Sequence, residues 1–355
     1  DKHILDRLIV NLYTSLFMQR YNEQLLIDEI QYAPGLLPLI KMRVDENRQP
    51  DMFWLTGSQK FHLMKGISES LAGRVAVLEL FGLTLREMNQ QGQNSSCFLP
   101  SNEFLSIGEL SRISIFERIW RGSLPEIALR PELNWEMFYN SYLQTYLKRD
   151  INDLVHISNE MAFNRFLKAT AARTASLLNL SDLARDADIA VNTAKNWLSL
   201  LITTGICFLL QPYYSNLTKR FVKSPKLYFM DTGLAAFLTG WSSSTTLESG
   251  AMAGQFFETW VVGEIYKSFT NVGLEPPIYF FRNKYKKEID LLILRDGKLY
   301  PDEIKMTASP GKKDLRNFHL LQNLNKPRGE GAVICLVNDI LPLSDMDKAF
   351  PVSVL

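Results

Sequence analysis

Short apolar runs alternate with amphipathic stretches over the N-terminal part of the chain. Helical patterns at residues 5–19 and 34–48 are each followed by a short apolar run, at residues 24–28 and 52–56. A third apolar run lies at residues 75–80. Short apolar runs between helical stretches are typical of buried strands, and alternating strands and helices build an α/β layer. The N-terminal part is therefore expected to be α/β, with three strands.

The middle of the chain has a helical pattern. Residues 107–172 carry aromatic side chains at spacings that suit packed helices, which favours a hydrophobic core over a cofactor site. Upstream of this stretch, Thr84 and Glu87 have the spacing of a capping box, which opens a helix. Downstream, residues 241–246 have the composition of a polar linker, and a helix is expected at residues 254–269. Strands and helices alternate again from there to the last residue.

Residues 180–231 have the pattern of a helix, a turn, a second helix and two strands. Ser181 is expected to cap the first helix, the second spans residues 191–204, and strands at residues 206–210 and 226–230 flank a basic loop. This order predicts a winged helix. Side chains able to reach bases or phosphates lie on its second helix and wing: Asn192, Thr193, Lys195, Asn196, Lys219, Arg220 and Lys223. A module that joins domains or binds protein explains the same pattern equally well.

Composition narrows the function classes. The formal net charge is only +1, so any contact with nucleic acid must come from a local basic patch. The three cysteines are far apart in the sequence and form no CxxC spacing, which supports neither a disulfide framework nor a zinc site. The chain opens without the order of a secretory signal, and its most apolar stretch is too short to cross a bilayer. A soluble, cytoplasmic protein without membrane contact is expected.

Two adjacent carboxylates, Asp28 and Glu29, end the first predicted strand. Such a strand has the Walker B arrangement, in which the first carboxylate holds Mg²⁺ and the second polarises the water that attacks the γ-phosphate of ATP. The next strand ends at Thr56 and Ser58, whose hydroxyls are candidates for sensing that phosphate and positioning the water. These residues predict a site for ATP and Mg²⁺.

ATP turnover needs two further parts. Arg74 is a candidate cation for the charge that develops in the transition state, although pairing with Glu69 or Glu79 is an equally good interpretation. The second part is a phosphate-binding loop of the form GxxxxGK[ST], and none occurs in the 355 residues. The sequence as it stands therefore describes an incomplete nucleotide site.

A second candidate site follows from counting residues around a turn. Asp-Gly at residues 296–297 separates two strand-like segments, which predicts a hairpin with a two-residue turn. In that register Asp290 faces Glu303, a repulsive pair that needs a cation, and Lys305 points to the same face. Two carboxylates and a lysine suit metal-dependent phosphodiester cleavage, with Asp290, Glu303 and Glu258 of the preceding helix as metal ligands and Lys305 as a catalytic residue.

The same residues allow an ordinary structural interpretation. Glu288 lies opposite Lys305 in this register, so a surface salt bridge beside a solvated Asp290 explains the pattern without any chemistry. Basic residues next to the carboxylates favour contact with nucleic acid instead: Arg282, Lys284, Lys286 and Lys287.

Taken together, the motifs closely resemble a large family of prokaryotic AAA-type P-loop ATPases with a C-terminal domain of unknown function. The resemblance rests on LIDEIQYAP at residues 26–34, LTGSQ at 55–59, SESLAGRV at 68–75, YLQTYLKRD at 142–150, SPKLYFMDTGL at 224–234 and FRNK at 281–284. It implies a winged helix and a PD-(D/E)xK nuclease-like region. It also implies ATP binding, with Asp28 as the Mg²⁺ carboxylate, Glu29 as the catalytic carboxylate and Thr56 or Ser58 as the sensor. Family members carry the phosphate-binding loop upstream of Asp1.

We therefore expect an α/β multidomain protein with four parts. These are a P-loop ATPase domain without its phosphate-binding loop at residues 1–90, a helical lid or linker at 91–175, a winged helix at 176–240 and a PD-(D/E)xK nuclease-like α/β domain at 241–355.

The expected function is an ATP-dependent switch coupled to a module that binds DNA or a protein partner. A Mg²⁺-dependent nuclease with a regulatory or decayed ATPase domain, and a non-catalytic binding protein, are the alternatives. A homo-oligomer is compatible with this function, because AAA-type sites commonly take an arginine from a neighbouring subunit; Arg74 and Arg149 are the candidates.

Overall fold

The structure is a computed structural model, and it describes residues 14–21, 23–57, 67, 70–94, 96–101, 104, 106–147, 159–214, 224–324 and 326–355. The described residues form two compact units: the first comprises those up to Leu78, and the second those from Glu79 onwards. Within the described ranges, no helix is long and apolar enough to cross a membrane.

The first unit contains two helices and two parallel strands. In chain order these are α1 (Thr14–Arg20), β1 (Leu25–Ile27), α2 (Leu36–Glu46) and β2 (Phe53–Leu55), with a 3₁₀ turn (Ile30–Tyr32) after β1. The strands pair in register, Leu25 opposite Phe53 and Ile27 opposite Leu55. The apolar positions of α1 and α2 pack against the strands and form the core of the unit, which includes Met18, Ile30, Leu36, Leu37 and Ile40. The unit therefore has the strand–helix–strand order that the sequence pattern predicts.

The strand predicted at residues 75–80 is wrong. These residues form irregular backbone with exposed side chains, and Leu80 is 97% exposed. An apolar run specifies a strand only when a neighbouring strand accepts its backbone hydrogen bonds, and the described residues provide none here.

The helical part of the second unit begins with the predicted capping box. The Thr84 side chain accepts a hydrogen bond from the Glu87 amide, and the Glu87 carboxylate accepts one from the Thr84 amide. The helices are α3 (Leu85–Met88), α4 (Arg112–Arg121), α5 (Pro125–Leu129), α6 (Trp135–Ser141), which continues as a π-helical turn (Tyr142–Leu147), and α7 (Glu160–Ala171). Trp135, Tyr139 and Phe166 of this region are buried in the core, and the rings of Trp135 and the half-buried Trp120 stack with centroids 4.4 Å apart.

A helix–turn–helix and a small antiparallel sheet follow. The elements are β3 (Ser176–Leu177), α8 (Leu180–Ala187), α9 (Val191–Thr203), β4 (Cys207–Leu210) and β5 (Lys226–Phe229), with sheet order β3-β5-β4. Asp188 makes the turn in the left-handed conformation. The cap of α8 is Asn179 and not Ser181, because the Asn179 side chain accepts hydrogen bonds from the amides of Ser181 and Asp182.

The remaining elements form a mixed six-stranded sheet and the helices before it. They are α10 (Thr232–Thr239), α11 (Ser244–Ser249), α12 (Ala253–Thr270), β6 (Ile278–Arg282), β7 (Glu288–Arg295), β8 (Lys298–Ile304), β9 (Gly331–Cys335), β10 (Leu341–Pro342) and β11 (Asp347–Pro351). The strand order is β10-β11-β9-β8-β7-β6, with β8, β9 and β11 parallel and the other neighbours antiparallel. Two 3₁₀ turns (Lys312–Leu315 and Phe318–Asn323) connect β8 to β9 and pack on the sheet.

The polar linker predicted at residues 241–246 is also wrong. Ser243 caps α11 through its hydroxyl, so the serines and threonines begin a helix. Trp241 packs so tightly on Gly250 that a Cβ there would lie 2.2 Å from the indole ring. Serine and threonine favour helix N-termini as strongly as loops, so composition alone did not distinguish the two structures.

A buried carboxylate connects three segments of the second unit. Asp231 caps α10 and accepts hydrogen bonds from the Ser123 amide at 2.6 Å and the Tyr139 hydroxyl at 2.8 Å. Gly122 (φ 89°) lets the chain pass this cluster, since a Cβ at that position would meet the Tyr139 hydroxyl. The loop after α4, helix α6 and helix α10 are thereby held at one point.

All three cysteines are free. Cys207 in β4 and Cys335 in β9 are buried, and burial raises the pKa of both thiols, that of Cys335 to about 11. Cys97 is partly exposed. No disulfide contributes to either unit, as the sequence spacing indicates.

Candidate functional sites

The first site lies where β1 and β2 end. Because the strands are parallel, their C-terminal ends meet at one edge of the sheet and bring Asp28, Glu29 and Thr56 together. The Thr56 hydroxyl donates a hydrogen bond to the Asp28 carboxylate, and the Glu29 amide donates one to Thr56 Oγ1 at 3.2 Å. The Thr56 hydroxyl, just after β2, thus fixes the orientation of the Asp28 carboxylate, just after β1.

Glu29 has an unusual backbone conformation. Its φ of 53° lies in the left-handed region, which costs a non-glycine residue about 1 kcal/mol or more. The side-chain amide of Gln31 donates a hydrogen bond to the Glu29 carboxylate. Glu29 is half-buried in this turn, whereas Asp28 before it is exposed.

The other residues predicted for this site are placed less favourably. Arg74 forms a two-point ion pair with Asp45 of α2, with Nε–Oδ1 at 2.6 Å and Nη2–Oδ2 at 3.1 Å. This pair lowers the pKa of the Asp45 carboxyl. Asp45, which sequence reasoning did not consider, is therefore the partner of Arg74 in the structure. Ser58 and Arg149 lie outside the described residues.

The second site is built on the β7–β8 hairpin. Asp296 (φ 49°) and Gly297 (φ 74°) form the two-residue turn, and the strands pair in the counted register down to Leu291 opposite Asp302. The next pair places Asp290 beside Glu303, with the Asp290 amide 3.4 Å from Glu303 Oε2. The expected register is thus the observed one.

A lysine supplies the cation that this pair of carboxylates needs. Lys305 Nζ lies 3.1 Å from Asp290 Oδ2 and 3.2 Å from Glu303 Oε1. Asp290 also accepts a hydrogen bond from the Ile304 amide at 3.0 Å. The alternative salt bridge between Glu288 and Lys305 does not form.

A second group of charges lies next to the first. Lys226 Nζ of β5 lies 2.9 Å from Glu258 Oε1 of α12 and 2.6 Å from Glu288 Oε1 of β7. The Tyr228 hydroxyl donates to Glu258 at 2.7 Å, and Arg282 forms a second ion pair with Glu288 at 3.3 Å. Lys226 is only 4% exposed, so the three-stranded and six-stranded sheets share a buried ion-pair network.

Burial and mutual repulsion shift the proton affinities in this network. Burial, together with the charge of Asp290, raises the pKa of Glu303 to about 7. Burial also raises the pKa of Glu258, against the opposing effect of Lys226. For Lys226 and Lys305, burial alone would lower the pKa, but the surrounding carboxylates outweigh it and raise the pKa of both ammonium groups. Both lysines therefore stay charged at neutral pH.

The carboxylates are matched by lysines rather than arranged around an open space. Among the described residues, no group of three or more His, Cys, Asp or Glu side chains is positioned to hold a metal ion. Lys226 and Tyr228 contact Glu258, whereas Lys305 bridges Asp290 and Glu303. The assignment of Glu258, Asp290 and Glu303 as metal ligands and of Lys305 as a catalytic residue stays a prediction.

The residues predicted to contact nucleic acid are distributed over two places. Asn192, Lys195 and Asn196 are exposed on α9, and Thr193 is half-buried. Lys284, Lys286 and Lys287 are exposed in the loop between β6 and β7. Lys219, Arg220 and Lys223 lie outside the described residues.

Sequence reasoning missed Lys226 and Tyr228. Both lie in a strand that the pattern predicts, but their contacts with Glu258 of α12 join residues 30 and 32 positions apart in the sequence. One signal was present: three predicted carboxylates and one lysine leave an excess of negative charge that a buried site must neutralise.

Three family models match separate parts of the chain. An AAA domain matches residues 1–89, a domain of unknown function (DUF8612) matches residues 112–245, and another domain of unknown function (DUF4143) matches residues 253–355. These matches support an AAA-type, ATPase-like family with a C-terminal domain of unknown function. The N-terminal segment is therefore similar to an AAA domain.

Two relatives from mycobacteria are similar over most of the chain. The uncharacterized proteins Mb2031c of Mycobacterium bovis and Rv2008c of Mycobacterium tuberculosis are each 31% identical over 287 residues, which is 80% of this chain and 59% of the relative. The chain thus spans about three fifths of the length of the curated relatives it matches. No solved structure matches the chain significantly.

Proposed function

We propose that the protein is an ATP-binding, AAA-type ATPase that acts as a nucleotide-dependent switch coupled to its C-terminal module. The observation that carries the proposal is the contact between Thr56 and Asp28 at the ends of two parallel strands, within the segment that matches an AAA domain. The donor set fits Mg²⁺, which prefers carboxylate and hydroxyl oxygens. When bound, Mg²⁺ supplies charge that neutralises the phosphates of ATP.

Each residue of this site has a distinct role in the proposal. Asp28 holds the ion, and Thr56 fixes the orientation of the Asp28 carboxylate through its hydrogen bond. Glu29, held by Gln31, orients the attacking water and accepts its proton. Ser58 as a second sensor and Arg74 as a transition-state cation belong to the same proposal, although Arg74 must first leave Asp45.

The test is ATP turnover in a chain that carries a phosphate-binding loop. Glu29→Gln is expected to lower the turnover number about a hundredfold or more with ATP binding retained, because the amide cannot accept the proton. Glu23→Gln, an exposed change close in the sequence, is the matched control. Full turnover in Glu29→Gln would refute the role assigned to Glu29.

A calorimetric titration of the 355-residue chain with ATP and Mg²⁺ locates the phosphate contacts. Saturable binding would mean that these residues hold the phosphates themselves. No binding would mean that these 355 residues by themselves lack a nucleotide site.

The C-terminal module is proposed to contact nucleic acid. The order of α8, α9 and the β4–β5 pair supports a winged helix at residues 176–240. The β7–β8 hairpin packed with α12 supports a nuclease-like fold at residues 241–355, after a helical lid at 91–175. DNA affinity is expected to fall with rising salt, because lysines such as Lys195 and Lys284 contact phosphates. An affinity that does not depend on salt would exclude phosphate contacts.

A Mg²⁺-dependent nuclease is the second candidate function. The convergence of Asp290, Glu303 and Lys305 favours it. The buried Lys226 and the half-buried Lys305 oppose it, because they already neutralise the carboxylates that a metal ion would need. If the protein cleaves DNA or RNA in the presence of Mg²⁺, Asp290→Ala should abolish the cleavage. Absence of cleavage by the parent protein on both substrates removes this candidate.

A further inference from the structure

The loop between β6 and β7, residues 283–287, presents an aromatic ring among lysines. Tyr285 is 72% exposed, the most exposed tyrosine among the described residues. Lys284, Lys286 and Lys287 surround it in the sequence, and none of the three forms a salt bridge with any residue that the structure describes. The loop contains no acidic residue, so it carries a strong local positive charge in a chain whose net charge is only +1.

The loop is ordered by one side chain. The Asn283 side-chain oxygen accepts hydrogen bonds from the amides of Tyr285 at 2.9 Å and Lys287 at 3.1 Å. Backbone hydrogen bonds from Lys286 to Asn283 and from Asn283 to Lys287 close the turn, and Lys286 adopts the left-handed conformation. The ring of Tyr285 is therefore presented on a backbone that is fixed in advance, which reduces the entropy lost on binding.

The surroundings of the ring favour a nucleobase as its partner. The Lys284 ammonium lies over the Tyr285 ring, 5.0 Å from its centroid. The large exposed fraction leaves the opposite side of the ring open to a stacking base. Aromatic rings that stack on bases, flanked by lysines that contact phosphates, are the elements of single-stranded nucleic-acid binding. In a duplex the faces of the bases are covered by their neighbours, so the ring selects for an unpaired strand.

We propose that Tyr285 and the three lysines of the β6–β7 loop form a binding site for single-stranded nucleic acid, with a base stacked on Tyr285 and phosphates on the lysines. This inference rests on the proposed function and deepens it by naming the class of nucleic acid. Asp290 follows Lys287 by three residues, so it lies roughly 10 Å further along the strand direction, at a rise of about 3.3 Å per residue.

Fluorescence anisotropy with labelled oligothymidylate of about 20 nucleotides, longer than a typical site, tests the proposal on the 355-residue chain. Tyr285→Ala should weaken binding about tenfold, and Tyr285→Phe, which keeps the ring, should stay within about twofold. Lys286→Ala should reduce the slope of log affinity against log salt by about 0.7. Lys298→Ala changes an exposed lysine that begins β8, at the turn end of the β7–β8 hairpin; it is the matched control and should change neither quantity.

The outcomes separate this inference from the function on which it rests. If Tyr285→Ala leaves oligothymidylate binding unchanged, or if duplex DNA of equal length binds as tightly and loses the same factor, the stacking site is refuted while nucleic-acid contact stands. If neither single strands nor duplexes bind at low salt, nucleic-acid contact itself is refuted. An oligouridylate of equal length distinguishes RNA from DNA, because stacking is common to both and contacts to the 2′-hydroxyl are not.

Discussion

At the scale of single residues, buried charge is the dominant feature of the six-stranded sheet. Asp302 of β8 is fully buried beside Leu291 and Ala332. Its neighbour Glu303 points to the other face of the sheet, so Lys305 serves Glu303 and not Asp302. Neither carboxyl oxygen of Asp302 has a hydrogen-bond partner of good geometry among the described residues. Burial raises the pKa of Asp302 far more than the nearby Ala332 amide lowers it.

Because of this environment, ionisation of Asp302 is expected to lower the free energy of unfolding as the pH rises. The folded-state pKa is raised above the unfolded value, so stability is complete below the unfolded pKa, about 3.9, and falls as pH rises towards the folded pKa. In Asp302→Asn, the free energy of unfolding is expected to fall less steeply between about pH 4 and pH 7 than in the parent. At pH 7 it should therefore exceed the parent value. Glu303 and Glu258, whose pKa values are also raised, keep part of the slope.

Urea denaturation at several pH values measures this difference. Asp296→Asn, in the exposed β7–β8 turn, is the matched control, because asparagine followed by glycine suits the same turn. Equal pH slopes of the free energy of unfolding for the parent and Asp302→Asn would show that Asp302 does not cause the pH dependence.

At the scale of secondary-structure elements, the β7–β8 hairpin shows why some geometry can be predicted from sequence. A two-residue turn and a side-chain period of two leave a single register, so the pairing of Asp290 with Glu303 follows by counting. The meeting of Asp28 and Thr56 after β1 and β2 could also be predicted, because a parallel pair brings the carboxyl ends of both strands to one edge of the sheet. The predictions for residues 75–80 and for the serines near Ser243 were wrong, because the structure of these segments depends on contacts that the local sequence does not determine.

The turn itself provides a prediction for this scale. Gly297 has a φ of 74°, and a Cβ built there meets nothing within 4 Å, so a side chain is opposed by backbone conformation alone. Gly297→Ala should lower the free energy of unfolding by about 1 kcal/mol. Gly254→Ala is the matched control: its Cβ position is also open, but it lies in α12, where alanine stabilises by up to about 1 kcal/mol. Opposite signs in thermal denaturation are expected, and equal effects would contradict the argument.

At the scale of the whole molecule, the second unit is held together by side chains from distant segments. Asp231 joins the loop after α4 to α6 and α10, and Lys226 joins the three-stranded sheet to α12 and the six-stranded sheet. The sequence pattern predicted β5 and α12 but not the contact between them, because that contact depends on the tertiary structure. Lys226 and Tyr228 were therefore the residues most difficult to foresee.

Removing the ammonium group of Lys226 tests how much its ion pairs with Glu258 and Glu288 stabilise the second unit. Lys226→Met keeps most of the side-chain volume but leaves the buried Glu258 without its cation and Glu288 with Arg282 alone, so about 3–5 kcal/mol of stability should be lost. Lys348→Met breaks a more exposed pair with Glu330 and should cost less than about 1 kcal/mol. Adding Glu258→Gln to Lys226→Met should restore part of the loss in urea denaturation. Equal losses for the two lysine variants would show that the network does not stabilise the unit.

The contrast between the three thiols makes the natural chain a substrate for selective labelling. A maleimide reacts with a thiolate it can reach, and Cys207 and Cys335 are both enclosed and held in the thiol form. Cys97 is the accessible one, with a pKa raised by burial to a lesser extent, so mildly alkaline buffer favours its reaction. A single fluorophore or spin label can therefore be attached to the native protein without removing any cysteine.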